Sequence, residues 1–386
     1  MKEIYLDNAA TTAVRPEVAE NMKPYFTEVY GNSSSLHTVG QKAKRALEEA
    51  RQTVADVLQA DPGEIYFTSG GTESNNLAIK GFAYANRERG NHLITTPIEH
   101  HAALNVFQSL QNQGFEVTYL PVDRHGLVDL DVLRDSFRPE TILVSIMLAN
   151  NEIGTIEPLQ AITDMARESG IAVHTDAVQA IGKIPLNVKN LGVDLLSLTA
   201  HKFYGPKGTG ALYKRDGIKI NPLFEGGHQE QILRPGTENI PGIVGLSTAL
   251  SLAYQDLDSE SVRLKALRDR LEEGIISRID EVTINGHPQQ RVPNISSLSF
   301  AFVEGEALVL SLDTMGIAVS TASACSAGTT EPSHVLRAIG LDPLLSQGTL
   351  RLSLGRSNST GDIDYTIDAV ASAVSRLREF SPIRKA

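Results

Sequence analysis

Two stretches of this sequence end an apolar run on a group that can do chemistry. Ile171-Ala-Val-His174-Thr-Asp176-Ala-Val-Gln179 delivers an acid, and Leu195-Leu-Ser-Leu-Thr199-Ala-His201-Lys202 delivers a lysine. Apolar runs of this length read as buried strands, and open α/β sheets place their chemistry outside the carboxyl ends of their strands. An acid that holds a pyridinium nitrogen, together with a lysine that forms a Schiff base, is what pyridoxal phosphate (PLP) asks of a protein. Taken singly, Asp176 reads as a helix cap and Lys202 as a surface loop charge. Thr199, His201 and the following Gly205-Pro-Lys-Gly208 shift that reading toward a cofactor site. Ser69-Gly70-Gly71-Thr72 follows another apolar run and opens a helical pattern, so its backbone N–H groups and the helix dipole could cradle a phosphate. Neither a dinucleotide fingerprint nor a P-loop is present, which favours a monophosphate anchor.

Further reactive side chains lie outside this centre. Cys325 is the one cysteine of the chain, so an intramolecular disulfide and a thiolate zinc cluster are both excluded. A free cysteine is most often a small buried hydrophobe. Ser320-Thr-Ala-Ser-Ala-Cys325-Ser-Ala-Gly-Thr-Thr330, however, offers almost nothing bulky to pack around a core thiol, and reads as a mobile loop that carries function. His100 follows a strand-like run, where a satisfied loop or cap histidine is the ordinary reading. Asn151 sits in an Asn-Asn pair that is either a turn or an amide at the mouth of the sheet. Arg351 offers a bidentate fork to a substrate carboxylate. Arg356, five residues on, would point to the opposite face of an ideal strand.

These groups need a scaffold, and the pattern supplies one. Candidate strands at 64–67, 92–95, 116–120, 142–147, 171–174, 195–199 and 210–213 alternate with helical patterns such as 72–84 and 158–168. That is the rhythm of an α/β fold whose mainly parallel sheet is covered on both faces. A long helix at 39–58 precedes it. From about 259 a charged helix to 279 opens a smaller α+β unit, with strands at 295–301, 317–319 and 350–354 and helices at 308–315 and 362–380. The expected division is 1–15 as a segment joining the small domain, 16–257 as the large domain and 258–386 as the small one. The 386 residues and 41% hydrophobic content suffice for two cores. A net charge of −11 argues against nucleic acid and anionic membranes as partners. The uncharged stretch 239–255 is interrupted by Pro241, Gly242 and Gly245 and falls short of a bilayer span, and no secretory leader is evident, so a soluble cytoplasmic protein is expected.

The motifs in their order resemble class V aminotransferases and, among them, the cysteine desulfurases of the NifS/IscS type. The resemblance runs through Tyr5-Leu-Asp-Asn-Ala-Ala-Thr-Thr12, Gly31-Asn-Ser-Ser-Ser-Leu-His37, Thr68-Ser-Gly-Gly-Thr-Glu-Ser-Asn75, Glu99-His100 and Asn150-Asn-Glu-Ile-Gly154. It continues through Arg234-Pro-Gly-Thr-Glu-Asn239, Ser323-Ala-Cys325-Ser-Ala-Gly328, Glu331-Pro-Ser-His334 and Leu350-Arg-Leu-Ser-Leu-Gly-Arg356. It implies the fold-type I PLP transferase architecture, in which two chains form each active site.

It also implies roles. Lys202 would carry PLP, Asp176 would keep the ring nitrogen protonated, Gln179 would reach the phenolic oxygen, and His100 would stack on the ring and move protons. Gly71, Thr72, Thr199 and His201, with Thr237 of the partner subunit, would hold the phosphate. Asn151 would bond cofactor or substrate, and Arg351 would anchor the substrate carboxylate, with Asn8, His37 and Arg234 bordering the pocket. L-cysteine would yield alanine and a persulfide on Cys325, which an acceptor such as an iron–sulfur scaffold would take. No active-site metal is implied, with Cys325 a candidate transient ligand of an iron–sulfur unit. Only a thiolate attacks, and a free thiol is just a few per cent ionised at neutral pH, so a proton acceptor such as His100 would help. Selenocysteine lyases, cystine C–S lyases and transaminases share the fold, and Cys325 separates them, since transamination does not need it. Intact Lys202, Asp176 and His100 argue against a non-catalytic sulfur carrier. The chain departs from many relatives at Gly227-His-Gln-Glu-Gln-Ile-Leu-Arg234, which lacks the Arg-Gly they carry after the Glu.

Overall fold

The structure, a computed structural model, describes residues 3–321 and 333–381. Strand β1 is Ile4–Tyr5, followed by β2 (Ile65–Thr68), β3 (His92–Thr95), β4 (Glu116–Tyr119), β5 (Thr141–Ser145), β6 (Ala172–Asp176), β7 (Leu195–Thr199) and β8 (Gly210–Lys214). Strands β2 to β8 form one seven-stranded sheet in the order β2-β8-β7-β6-β5-β3-β4. Pairing is parallel from β4 through β7, and β8 runs antiparallel to both β2 and β7. Each of the seven strand patterns read between 64 and 213 falls in this sheet, so the expected α/β class holds.

The inner strands are buried along their whole length because helices cover both faces. Leu195 and Leu212 pack with Leu77, Phe82 and Phe107 on one side, while Leu196, Leu198 and Tyr213 pack with Leu47, Val54 and Leu246 on the other. The covering helices include Gly71–Ala85 and His101–Gln111 on the first face and Thr38–Leu58, Leu159–Glu168 and Ile240–Gln255 on the second.

The helix Ile240–Gln255 runs through the stretch that the sequence shows interrupted by Pro241, Gly242 and Gly245. Pro241 falls in its first turn, where a missing N–H leaves no bond unmade, and the Asn239 side chain accepts from Gly242 N. Gly245 is a contact residue: a Cβ there would lie 2.6 Å from Met22 Sδ and 2.9 Å from the rigid ring of Pro206, so a larger side chain would force its neighbours to shift. No helix among the described residues is long and apolar enough to cross a membrane.

The remaining strands are β9 (Val282–Ile284), β10 (Ile295–Phe300), β11 (Ile317–Ala318), β12 (Ser320–Thr321) and β13 (Thr349–Ser353). An antiparallel sheet in the order β12-β13-β10-β9 packs against the helices Leu257–Ile276, Gly305–Asp313 and Thr360–Phe380 through a second apolar cluster. Ile4 and Leu6 belong to that cluster, and β1 pairs in parallel with β11. The single strand expected at 317–319 is therefore two, one pairing with β1 and the next with β13.

Candidate active site

The carboxyl ends of β6 and β7 bring Asp176 and Lys202 to one cavity of about 310 Å³, lined also by His100, Asn151, Gln179 and Arg351. Asp176 ends β6, buried. Its Oδ1 accepts the Val178 N–H at 2.9 Å and its Oδ2 the Asn75 amide at 2.6 Å. Lys202 closes the short turn Ala200–Lys202 after β7, and its Nζ donates to the carbonyls of Ala9 and Ala10 at 2.6 and 2.7 Å. Residues some 190 positions apart thus face each other across the cavity floor.

Gly71, Thr72, Thr199 and His201 line this cavity and also an adjoining recess with Ser69, Gly70 and Lys207. The recess lies at the N-terminus of the fifteen-residue helix Gly71–Ala85, with Gly70 at its cap in the positive-φ region. A Cβ on Gly71 would come within 3.0 Å of Val178, so glycine keeps the approach to that N-terminus open. His201 Nδ1 lies 3.2 Å from Thr11 Oγ1. Burial, reinforced by the Lys202 and Lys207 cations, pushes it down to about 4.

His100 caps the helix His101–Gln111, its Nδ1 accepting the Ala102 N–H at 3.0 Å. An accepting Nδ1 carries no proton, so proton exchange at this ring falls to Nε2. Burial lowers its proton affinity, Asp176 opposes that and Lys202 adds to it. The adjacent Glu99 is buried, its Oε1 accepting from Thr96 Oγ1 and from Met147 N, and burial pushes it up to about 8.

Arg351 comes from the middle of β13, in the other sheet. Its Nη1 donates to the Asn151 carbonyl at 3.0 Å and its Nη2 to Asp7 Oδ1 at 2.9 Å. Three buried polar atoms of cavity-lining residues have no partner among the described residues: Arg351 Nε, Asn151 Oδ1 and Asn75 Oδ1. Buried polar groups are nearly always satisfied, so a cavity bordered by such orphans fits a polar ligand. With an acid and a lysine on its floor and a helix N-terminus beside it, the donor set fits PLP together with an amino-acid carboxylate.

Other expected site residues lie elsewhere. Asn8 is buried, but its amide donates to Ser353 O and Tyr5 O, and it borders a different recess beside Tyr204 and Arg356. His37 is an exposed cap, accepting from Gly40 N. Arg234 is paired with Glu73 at 2.8 Å, and Thr237 is exposed and away from the cavity of its own chain. Arg356 lies beyond the end of β13, so strand parity does not reach it, and it pairs with Asp256 with its guanidinium over the Tyr204 ring. Cys325 lies outside the described residues. In the departing loop Glu230, Gln231 and Ile232 all take positive φ, held by Glu230, which accepts from Arg51 and from Phe67 N.

Sequence reasoning missed Asn75, one helical turn after Gly71 and so on the same face, a spacing that could have flagged it. It also missed Glu99's protonation and the carbonyls of Ala9 and Ala10, for which no local signal exists.

Fold and cavity together define a PLP-type α/β enzyme. The chain belongs to the aminotransferase class-V family, whose model matches residues 4–366, and PLP is the cofactor of that family. A curated relative, a cysteine desulfurase IscS of Methanosarcina thermophila, is 53% identical over 382 residues, covering 99% of this chain and 94% of its own. A solved NifS-like protein superposes with a TM-score of 0.92 at 41% identity, over 97% of this chain and 100% of that one. A protein named SspA, solved in complex with cysteine, superposes with a TM-score of 0.81 at 39% identity, over 92% of this chain and 99% of that one.

Proposed function

We propose that this chain is a PLP-dependent cysteine desulfurase, which converts L-cysteine and the Cys325 thiol into L-alanine and a Cys325 persulfide. The observation that carries the reading is one cavity in which Asp176, Lys202 and His100 face Arg351, a carboxylate anchor, at a distance set by two sheets. PLP, when bound, supplies an electron-withdrawing ring that loosens the substrate's carbon–sulfur bond. Asp176, fixed by Asn75 and Val178 N, holds a proton at the ring nitrogen. Gln179 and Asn151 line the same cavity, where Gln179 would reach the phenolic oxygen and Asn151 the cofactor or the substrate. The N-terminus at Gly71 and Thr72, with Thr199, His201 and Thr237 of the partner subunit, would hold the phosphate.

Arg351 grips the substrate carboxylate, and the resulting orientation presents the Cα proton to the Lys202 amine. His100, through Nε2, takes the proton of a thiol, leaving the nucleophilic thiolate. The Cys325 thiolate takes the substrate sulfur, a sulfur–sulfur bond forms as the carbon–sulfur bond breaks, and protons return to the carbon skeleton to leave alanine. Thr237, exposed and outside its own cavity, supports a homodimer with shared sites. The persulfide passes to an acceptor such as an iron–sulfur scaffold protein. A reactive unpaired thiol suits a reducing compartment, which supports a cytoplasmic location.

Incubating the holoenzyme with L-cysteine tests this. Alanine and protein-bound persulfide should form together in wild type, and both should be lost in Cys325→Ala while PLP stays bound. Release of sulfide by Cys325→Ala at near wild-type rate would replace the desulfurase reading with a C–S lyase.

A further inference from the structure

Behind the cavity wall lies a second lysine that the reaction does not use. Lys183 is buried, at 8% exposure, and among the described residues it forms no ion pair. Burying an ammonium without a carboxylate partner is costly, and lysines are almost never placed so without a reason. Its Nζ donates to Gln179 Oε1 at 3.2 Å. Gln179, buried and lining the cavity, donates its own Nε2 to the Ala9 carbonyl at 2.8 Å, the same carbonyl that accepts from Lys202.

An amide can present either its oxygen or its NH₂ to a ligand, and only its partners decide which. An ammonium has three donors and no acceptor, so it can engage only the oxygen. With Oε1 turned to Lys183 and one Nε2 hydrogen turned to Ala9, the second Nε2 hydrogen is what the side chain has left to offer. We propose that Lys183 is a positioning residue: by taking the Gln179 amide oxygen it favours the amide orientation that presents an N–H toward the cofactor's phenolic oxygen. This rests on the PLP reading of the site.

The chemical consequence is specific. A donor on a phenolic oxygen favours the ionised form of that oxygen and lowers the proton affinity of the conjugated chromophore. The other charged or titratable groups facing this region are Lys202 and His201 from the turn after β7, Asp176 from β6, His100 from its helix cap and Arg351 from β13. From the helix Leu257–Ile276, Ser261 Oγ donates to the Lys183 carbonyl. Burial, with Lys202 adding to it, pulls Lys183 down to about 7, so the ammonium can lose its proton in the working range. Even neutral, the amine retains two N–H donors, although its lone pair then also allows it to accept.

The test is a double-mutant cycle on the holoenzyme, read by the pH midpoint of the bound cofactor's visible absorption and by the PLP dissociation constant. Lys183→Met should raise the midpoint by about one pH unit, the scale of one lost hydrogen bond, and should weaken PLP several-fold. In a Gln179→Leu background the same substitution should do almost nothing, because the group it orients is gone. Lys183→Arg, also donor-only, should restore most of the wild-type midpoint. Apo melting temperatures report folding, and replacing a buried charge by an apolar side chain of similar volume is commonly tolerated. An equal shift with and without Gln179 would make Lys183 a through-space charge and overturn the proposal. So would an unmoved midpoint in Lys183→Met. A wild-type protein that binds no PLP would instead sink the function on which the proposal rests.

Discussion

The two sheets build the site in different ways. The seven-stranded sheet supplies Asp176, Thr199 and Lys202 where strands end and the backbone turns, and several of their partners lie close by in the chain, such as Val178 N for Asp176 and Thr209 O for Thr199. The four-stranded sheet supplies Arg351 from mid-strand, and its partners are Asn151 O and Asp7, 200 and 344 residues away. The cofactor side already leans on the N-terminal segment, since Ala9 and Ala10 accept from Lys202 and Ala9 from Gln179, and the carboxylate anchor needs the second sheet in addition. The two halves of the cavity should respond separately to mutation.

The largest expected effect is on the cofactor side. Lys202→Ala should reduce turnover by about a hundred- to ten-thousandfold or more, since it removes the proton-transfer group, while PLP still binds through its phosphate. Borohydride reduction should no longer fix cofactor to the chain, and label on another lysine would break the assignment.

On the other side, Arg351→Ala should leave the cofactor spectrum intact and cost on the order of 2 to 5 kcal/mol of cysteine binding. Asp7→Asn, which only loosens the guanidinium, should cost about 1 kcal/mol. If either change disturbed the cofactor spectrum as strongly as it weakened cysteine, the two halves would not be separable.

Protonation sharpens the comparison further. Glu99, next to His100 in the chain, is pushed up to about 8 by burial, and Glu152, beside Arg351, is pushed up to about 7 by burial against the opposing pull of the Ser333 hydroxyl and Arg351. A carboxyl whose folded pKa is raised holds a proton that the unfolded chain releases, so its stabilisation is full at low pH and is lost as pH rises toward the folded value. Stability should fall from about pH 5 to 8 by this route. Glu99→Gln should flatten that slope up to pH 8, and Glu152→Gln only up to about pH 7, as denaturant titrations across pH would show.

The smallest effect concerns the loop 227–234. Ile232 holds φ 74° while 58% exposed, a conformation unfavourable for a β-branched residue. Ile232→Gly should therefore stabilise the chain by about 1 kcal/mol in chemical denaturation, net of the glycine's greater unfolded-state freedom. A loss of stability would mean that the Ile232 side chain makes contacts that outweigh the strain.

Sequence alone was enough for the strands and helices of the large sheet, because burial on both faces writes itself as short apolar runs between amphipathic segments. It was enough, too, for the order in which Asp176, Thr199, His201 and Lys202 leave those strands, since a strand's carboxyl end is a local property. The helix Ile240–Gln255 was not legible: its proline and glycines read as breaks, and only the approach of Met22 and the Asn239 cap show them to be a first turn and a contact face. The Asn75–Asp176 bond, the Lys183–Gln179 bond and the partners of Arg351 were likewise decided by tertiary structure, as was the placing of Asn8 and His37 outside the cavity. Residue type and spacing state what a group can do. Which hydrogen bonds it makes depends on neighbours brought from distant parts of the chain, and for buried amides, lysines and carboxyls those neighbours decide both orientation and charge.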